Sequence, residues 1–434
     1  MKEQKFPLGF WNYTETGIYG KEAVQDWTDC GMTMAMSPHF DFKKHNVQDL
    51  LKILDACEQK GIRVWIDCEQ LRWDGAAEDE EEYRKKFIKV YKQFGKHPAV
   101  GGFYVGDEPG TEQQLLDAAA AYRIQVEVAP ALMPFLNLLP YRQGVQNEIE
   151  IIQKDISLHQ DFNANTVLYA KQAGMKVIGY DCYYQLDKQD EKETGIHLYF
   201  ENLKRYTQIA KEANIPLWVT NLSVGHFRYR CPTEDDFRWQ LNTSVASGAK
   251  GVLWFFFYMR TLRINYRLAP IDEHWERTDR FTWLSRVQRS FLYTYGTLMC
   301  RLEHEKTYHY KTAYGTYPLF SPNDGELVTN MACEDDLPGI LSYFYDEHRT
   351  PYIVLVNNSQ TMNGNFTLTY HSRVKKIYRI AWGGEEEDAA LNNVCNNYTV
   401  TENGIQNSAC LAPGQMEVYR IEAEEAREDG FEKM

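Results

Sequence analysis

Two adjacent acids, Asp107 and Glu108, stand between Gly106 and Pro109, and a third, Asp181, precedes the run Cys182-Tyr183-Tyr184. Carboxyls in different surroundings can divide the work of acid and base. An apolar or anionic setting keeps one protonated near neutral pH, while a polar setting leaves another ionised. Cleavage of a glycosidic bond asks for that division: the leaving oxygen must gain a proton while an anion or a base-activated water attacks the other face of the sugar. Glu108 has the outline of the protonated member. It follows Gly101-Gly102-Phe103-Tyr104-Val105-Gly106, sits beside the like charge of Asp107 and is fixed by Pro109. Asp181 is the preferred second carboxylate, with Asp67 or Glu69 as the other candidates, and the roles of Glu108 and Asp181 could be reversed.

Substrate-binding expectations surround this pair. Asp107, Asn137, Asn221 and Tyr13 can exchange hydrogen bonds with sugar hydroxyls, and His226 can do the same. Glu69, with Trp65 nearby, suits a subsite, and the rings of Trp11, Trp65, Tyr183 and Trp254 can stack on sugar faces. Each residue has a structural alternative. Asp181 could cap a loop, Glu69 could pair with Arg72, a lone His is more often structural than catalytic, and most aromatic rings pack a core.

Other chemistries lack residues at suggestive spacing. No His-x-His, His-Glu-x-x-His or Cys-x-x-Cys occurs, so no metal site is expected. Neither Gly-x-Gly-x-x-Gly, a phosphate loop nor a Gly-x-Ser-x-Gly elbow is present, and no cofactor is implied.

The elements that must position these residues alternate. Short apolar runs at Pro7–Tyr13, Met32–Met36, Arg63–Asp67, Gly101–Gly106, Leu132–Asn137, Lys176–Tyr180, Leu217–Asn221 and Gly251–Phe257 are separated by amphipathic helical stretches. Parallel strands joined by helical crossovers follow from that order, and eight repeats favour a closed barrel. In such a barrel the functional residues lie at the carboxyl ends of strands. That rule selects the acids above and also places His39, Tyr258 and Arg260 at strand ends. Phe281–Leu302 reads as the closing helix.

Past Glu305 the period changes to two, with strand patterns at Gly339–Tyr345, Tyr352–Val356, Phe366–Tyr370, Lys376–Ile380 and Met416–Ile421. Asn357-Asn358, Asn363-Gly364 and Pro413-Gly414 supply turns. The expected layout is α/β: a (β/α)8 TIM barrel over 1–304 as the catalytic domain, a C-terminal antiparallel β-sandwich over 305–425, and an acidic tail over 426–434.

Bulk properties agree. The chain has 434 residues, enough for a barrel and a smaller module, and is 14% aromatic with 29 Tyr and 10 Trp. A net charge of −14 without a basic stripe argues against nucleic acid. No apolar run approaches the ~20 residues of a membrane span. Nine Cys without paired spacing read as mostly free thiols. The start of the chain has no signal-peptide core; a leader removed beforehand would mean a periplasmic or secreted protein, and otherwise the location is cytoplasmic. The expected partner is a carbohydrate substrate, with a homo-oligomer as an option.

The run from Val100 to Pro109 resembles the fourth-strand motif of clan A glycoside hydrolases, in which Asn-Glu-Pro or Asp-Glu-Pro carries the acid/base glutamate. The barrel region is also similar to uncharacterised glycoside-hydrolase-like proteins near the family 42 β-galactosidases. The shared segments are Phe135-Leu136-Asn137-Leu138-Leu139-Pro140, Asp181-Cys182-Tyr183, Leu222-Ser223-Val224 and Ser247-Gly248-Ala249-Lys250-Gly251. The resemblance covers roughly two-thirds of the chain, and a β domain ending Leu411-Ala412-Pro413-Gly414-Gln415 fits the usual appendage. It implies hydrolysis of an oligo- or polysaccharide with Glu108 as general acid/base. One departure matters. The clan places its nucleophilic glutamate at the end of strand seven, where Trp218-Val219-Thr220-Asn221 offers no acid. A barrel that binds carbohydrate without cleaving it is therefore the alternative, and a Glu108 with no other carboxyl within ~10 Å would favour it.

Overall fold

The computed structural model describes residues 5–142, 162–186, 192–260, 265–321, 327–391, 396–402 and 404–424. The expected acidic tail lies outside these. Two compact units form: Met1–Phe237 with Gly248–Leu292, and Arg238–Ser247 with Tyr293–Met434.

In the first unit β1 (Leu8–Phe10), β2 (Met34–Met36), β3 (Arg63–Ile66), β4 (Val100–Asp107), β5 (Phe135–Leu138), β6 (Ile178–Asp181), β7 (Leu217–Leu222) and β8 (Gly251–Phe255) make one parallel sheet. Its order is β1-β8-β7-β6-β5-β4-β3-β2. The remaining seam, between β1 and β2, carries backbone bonding as well, since Thr33 N–H donates to Leu8 O at 2.9 Å. This is the TIM barrel that the alternation implies, and each strand lies where an apolar run stands.

Helices α1 (Ala23–Cys30), α2 (Val47–Lys60), α3 (Glu80–Val90), α4 (Glu112–Val128), α5 (Phe162–Gln172), α6 (Lys192–Ala213), α7 (Glu234–Ala246) and α8 (Asp279–Phe291) alternate with or follow the strands. Local chemistry sets their ends. Asn46 caps α2 by accepting from Gln48 N–H, and Gly61 closes it at φ 69°. The expected closing helix is interrupted: a wide π-type turn over Leu292–Gly296 separates α8 from the short α9 (Thr297–Arg301).

Rings fill the barrel. Trp65 stacks on Phe135 at 4.6 Å and approaches Trp218 at 4.8 Å, and Trp11 meets Tyr104 edge-on at 5.5 Å. Two glycines of β4 let the neighbouring backbone and a ring approach the wall closely. A Cβ on Gly102 would lie 1.9 Å from Met133 O, and one on Gly106 would lie 2.0 Å from the Trp73 ring. The glycine-rich lead into Asp107-Glu108 is thus a packing requirement of the wall.

The second unit holds two antiparallel sheets. One is ordered β10-β13-β17-β16, from Val328–Cys333, Gly364–Tyr370, Gly404–Leu411 and Asn396–Thr401. The other is ordered β15-β14-β18-β12-β11-β9, from Glu386–Asp388, Val374–Ile380, Met416–Ala423, Pro351–Asn357, Gly339–Tyr345 and Glu303–Tyr310. Phe366, Leu368 and Ile405 of the first meet Leu341, Ile353, Ile377 and Tyr419 of the second in one buried cluster, which makes a β-sandwich. Five of these strands, β9, β10, β15, β16 and β17, were not among the sequence expectations. Among the described residues no helix is long and apolar enough to cross a membrane.

Candidate active site

Residues at the carboxyl end of β4 face the barrel interior because the strand is irregular. Tyr104 packs with Phe135 inside the barrel, and strict alternation would send residue 107 outward. A register shift between Tyr104 and Gly106 changes the phase, so Tyr104 pairs with Phe135 while Asp107 pairs with Asn137. A bulge of this kind re-aims side chains next to a site. Glu108 then adopts φ 48°, left-handed backbone that costs a non-glycine residue about 1–2 kcal/mol. Its N–H donates to Asn137 O at 2.9 Å, which helps to hold it there.

Asn137 on β5 ties the acids together. Its amide nitrogen donates to Asp107 Oδ1 at 3.0 Å and to Asp181 Oδ1 at 2.8 Å. The Glu108 carboxyl stands against Asp181, and the Tyr183 hydroxyl lies close enough to favour the charged form of Asp181. Two carboxyls in hydrogen-bond contact must share a proton, and it rests on Glu108.

Electrostatics follow from this crowding. Asp107 and Glu108 are open to solvent on part of their surface, yet protein atoms press on their flanks. For Asp107, burial and then the Asp181 charge push the pKa up to about 7, against the Asn137 hydrogen bond and the Arg260 charge. For Glu108, burial and then the charges of Asp181 and Asp107 push it up to about 8, against Arg142. Burial also holds Asp181 above the usual carboxylate range, although Asn137, Tyr183, Glu108 and Arg142 all favour its charged form.

Tyr13, beyond β1, lies beneath the Arg260 guanidinium, 3.7 Å from ring centroid to carbon, and feels the charges of Asp107 and Asp181. His226 is 5% exposed, with ring contacts to Tyr183 at 6.0 Å and Tyr266 at 5.9 Å. Burial and then Arg267 lower its pKa to about 4, so it is neutral near pH 7. The structure therefore brings together Tyr13, Asp107, Glu108, Asn137, Asp181, Tyr183 and His226.

It does not bring in five others. Trp11, Trp65 and Trp254 are at most 2% exposed, and their indole N–H groups donate to Thr220 Oγ1, Met133 O and Gln288 Oε1. They are core rings, with no face open to a sugar. Trp218 and Leu222 line the barrel interior and Thr220 accepts from Trp11, so period-two alternation turns Asn221 outward, toward the helices. Glu69 is exposed and pairs with His39 at 3.4 Å and Arg72 at 3.5 Å, while His39 also meets Asp67 at 3.0 Å. The sequence alternative of internal pairing describes Glu69.

Arg142, Arg260 and Tyr266 also face this cluster. Only Arg260 carried a signal, its position just past strand eight. Arg142 and Tyr266 lie in loops whose paths no periodicity encodes.

Three solved structures illustrate what the chain is similar to. A protein of Bacteroides thetaiotaomicron VPI-5482, assigned provisionally as an α-L-fucosidase, is 13% identical with a TM-score of 0.46, over 66% of this chain and 96% of its own. The β-galactosidase of Marinomonas ef1 is 12% identical with a TM-score of 0.48, over 65% of this chain and 59% of its own. That of Bacillus circulans sp. alkalophilus is 12% identical with a TM-score of 0.49, over 70% of this chain and 58% of its own. The chain thus spans less than two-thirds of the length of either β-galactosidase. Likeness at this level says nothing about activity. No family model matches the chain, and no characterised protein matches it in sequence.

Proposed function

We propose that this protein is a glycoside hydrolase acting on O-glycosidic bonds of an oligo- or polysaccharide, with Glu108 as general acid/base and Asp181 as its partner carboxylate. The observation that carries the reading is the Glu108–Asp181 hydrogen bond at the mouth of the barrel, with the proton on Glu108 near neutral pH. Two carboxyls, Asp107 and Asp181, act on Glu108 at close range, which supports the hydrolytic reading over a barrel that only binds.

In the proposed cycle the substrate's glycosidic oxygen displaces the Glu108–Asp181 contact. Glu108 gives its proton to that oxygen, and the C1–O bonding pair departs with the leaving group. Asp181, held by the Asn137 amide, attacks the anomeric carbon and forms a glycosyl ester. Glu108, now ionised, takes a proton from water, whose oxygen attacks the same carbon and releases Asp181. Retention is favoured because retaining pairs stand about 5–5.5 Å apart and inverting pairs about 6.5–9.5 Å. A hydrogen-bonded pair lies on the short side of both.

Activated aryl glycosides and natural oligosaccharides, with product stereochemistry followed by NMR, provide the test. Glu108→Gln should lower kcat/KM by about two to four decades while the circular dichroism stays unchanged. Full activity in that variant would remove Glu108 from the mechanism.

A further inference from the structure

The Arg260 guanidinium is held as if for a ligand. Its face lies 3.7 Å from the Tyr13 centroid, with the Tyr266 and Phe256 rings at 5.5 and 5.9 Å. One nitrogen reaches the Tyr266 hydroxyl at 3.4 Å. A stacked guanidinium keeps its edge N–H groups free, and those edges match a carboxylate in bidentate fashion. Among the described residues Arg260 forms no ion pair, although Asp107 lies close enough for its charge to be felt. A guanidinium that served only as the counter-charge of Asp107 would close onto it. Here opposite charges face each other without touching.

We infer that this site takes a sugar bearing a carboxylate, a uronic or related acidic sugar, whose charged group docks on the edge of Arg260 above Tyr13. The inference rests on the hydrolase reading for the identity of the site, and it adds the substrate class. The chain's charge of −14 opposes an anionic ligand as a whole, but the local count does not. With the proton of the pair on Glu108 and Asp107 partly protonated near pH 7, two guanidiniums, Arg260 and Arg142, face little more than one negative charge on the carboxyls. A protonated Asp107 could also donate to the ligand's carboxylate.

Binding of free sugars separates this inference from catalysis. The full-length wild-type chain would be titrated by calorimetry with sodium D-glucuronate, D-galacturonate, D-mannuronate and N-acetylneuraminate, with the methyl esters of the three uronates, and with glucose, galactose and mannose. At least one acid should bind about ten-fold or more tightly than its uncharged partner, the scale of a hydrogen bond to a charged group. Arg260→Ala should abolish that preference, Arg260→Lys should restore part of it, and thermal melts of both should show a folded protein. A panel without charge preference, or a preference that survives in folded Arg260→Ala, would overturn the inference. Cleavage of neutral glycosides alone would do so too and leave the hydrolase reading intact. Selective binding of an acid without any cleavage would remove the hydrolase reading instead.

Discussion

The Glu108 carboxyl donates a hydrogen bond to the Asp181 carboxylate across the mouth of the barrel. The contact joins the end of β4 to the end of β6, and β5 between them supplies Asn137 as the bridge. Its consequences for pH dependence have a definite sign.

Glu108 is raised from 4.5 to about 8 and Asp107 from 3.8 to about 7, so the native protein holds protons that the unfolded chain releases. Below their unfolded values both states are protonated and the groups cost nothing. As pH rises through about 7 and 8 the native state loses stability relative to the unfolded state. Glu108→Gln cannot ionise. Its melting temperature should exceed that of the wild type above pH 8 and converge with it near pH 4.5. A difference that does not vary with pH would show that Glu108 is not raised. In the same range, kcat/KM should fall as Glu108 gives up the proton it transfers.

Asn137→Ala removes a donor from two acids at once. Its hydrogen bonds favour the charged forms of both Asp107 and Asp181, so both pKa values should move further up. The acid limb of the pH profile of kcat/KM should then shift to higher pH, with a loss of about ten-fold or more at the optimum. Tyr183→Phe should shift the limb set by Asp181 alone. Carboxyl titrations followed by NMR would distinguish the two, and an unmoved Asp107 in Asn137→Ala would contradict the bridge.

Trp65→Ala tests a core ring against a sugar platform. Trp65 is 1% exposed and packs on Phe135 and Trp218. Truncating a buried aromatic costs about 3–5 kcal/mol, which denaturant unfolding would register as an earlier midpoint. A rise in KM with unchanged stability would be the result of a platform, and would refute the packing argument.

The sequence by itself determined the barrel and the place of its acids. Eight apolar runs separated by amphipathic helices leave few arrangements, because each strand must bury both faces and each helix one. The rule that loops after strands carry function placed Asp107, Glu108, Asn137 and Asp181 among its strand-end candidates, together with others such as Asp67, Glu69 and Asn221. In the sandwich, runs rich in branched and aromatic residues such as Gly339–Tyr345 were legible. Polar strands such as Asn396–Thr401 and Glu386–Asp388 were not, since their pairing comes from neighbours and not from their own pattern.

Only the tertiary structure decided which candidates meet. Trp11, Trp65 and Trp254 carry the residue type of a sugar platform, but burial is fixed by the surrounding rings and not by type. Asn221 turned outward because β7 keeps a regular alternation, whereas Asp107 turned inward because β4 breaks its own. A single-residue shift of that kind changes which face a side chain occupies, and local composition does not encode it. Arg260 stacked on Tyr13 lies beyond sequence reading for the same reason: strand eight and strand one are neighbours only once the barrel has closed.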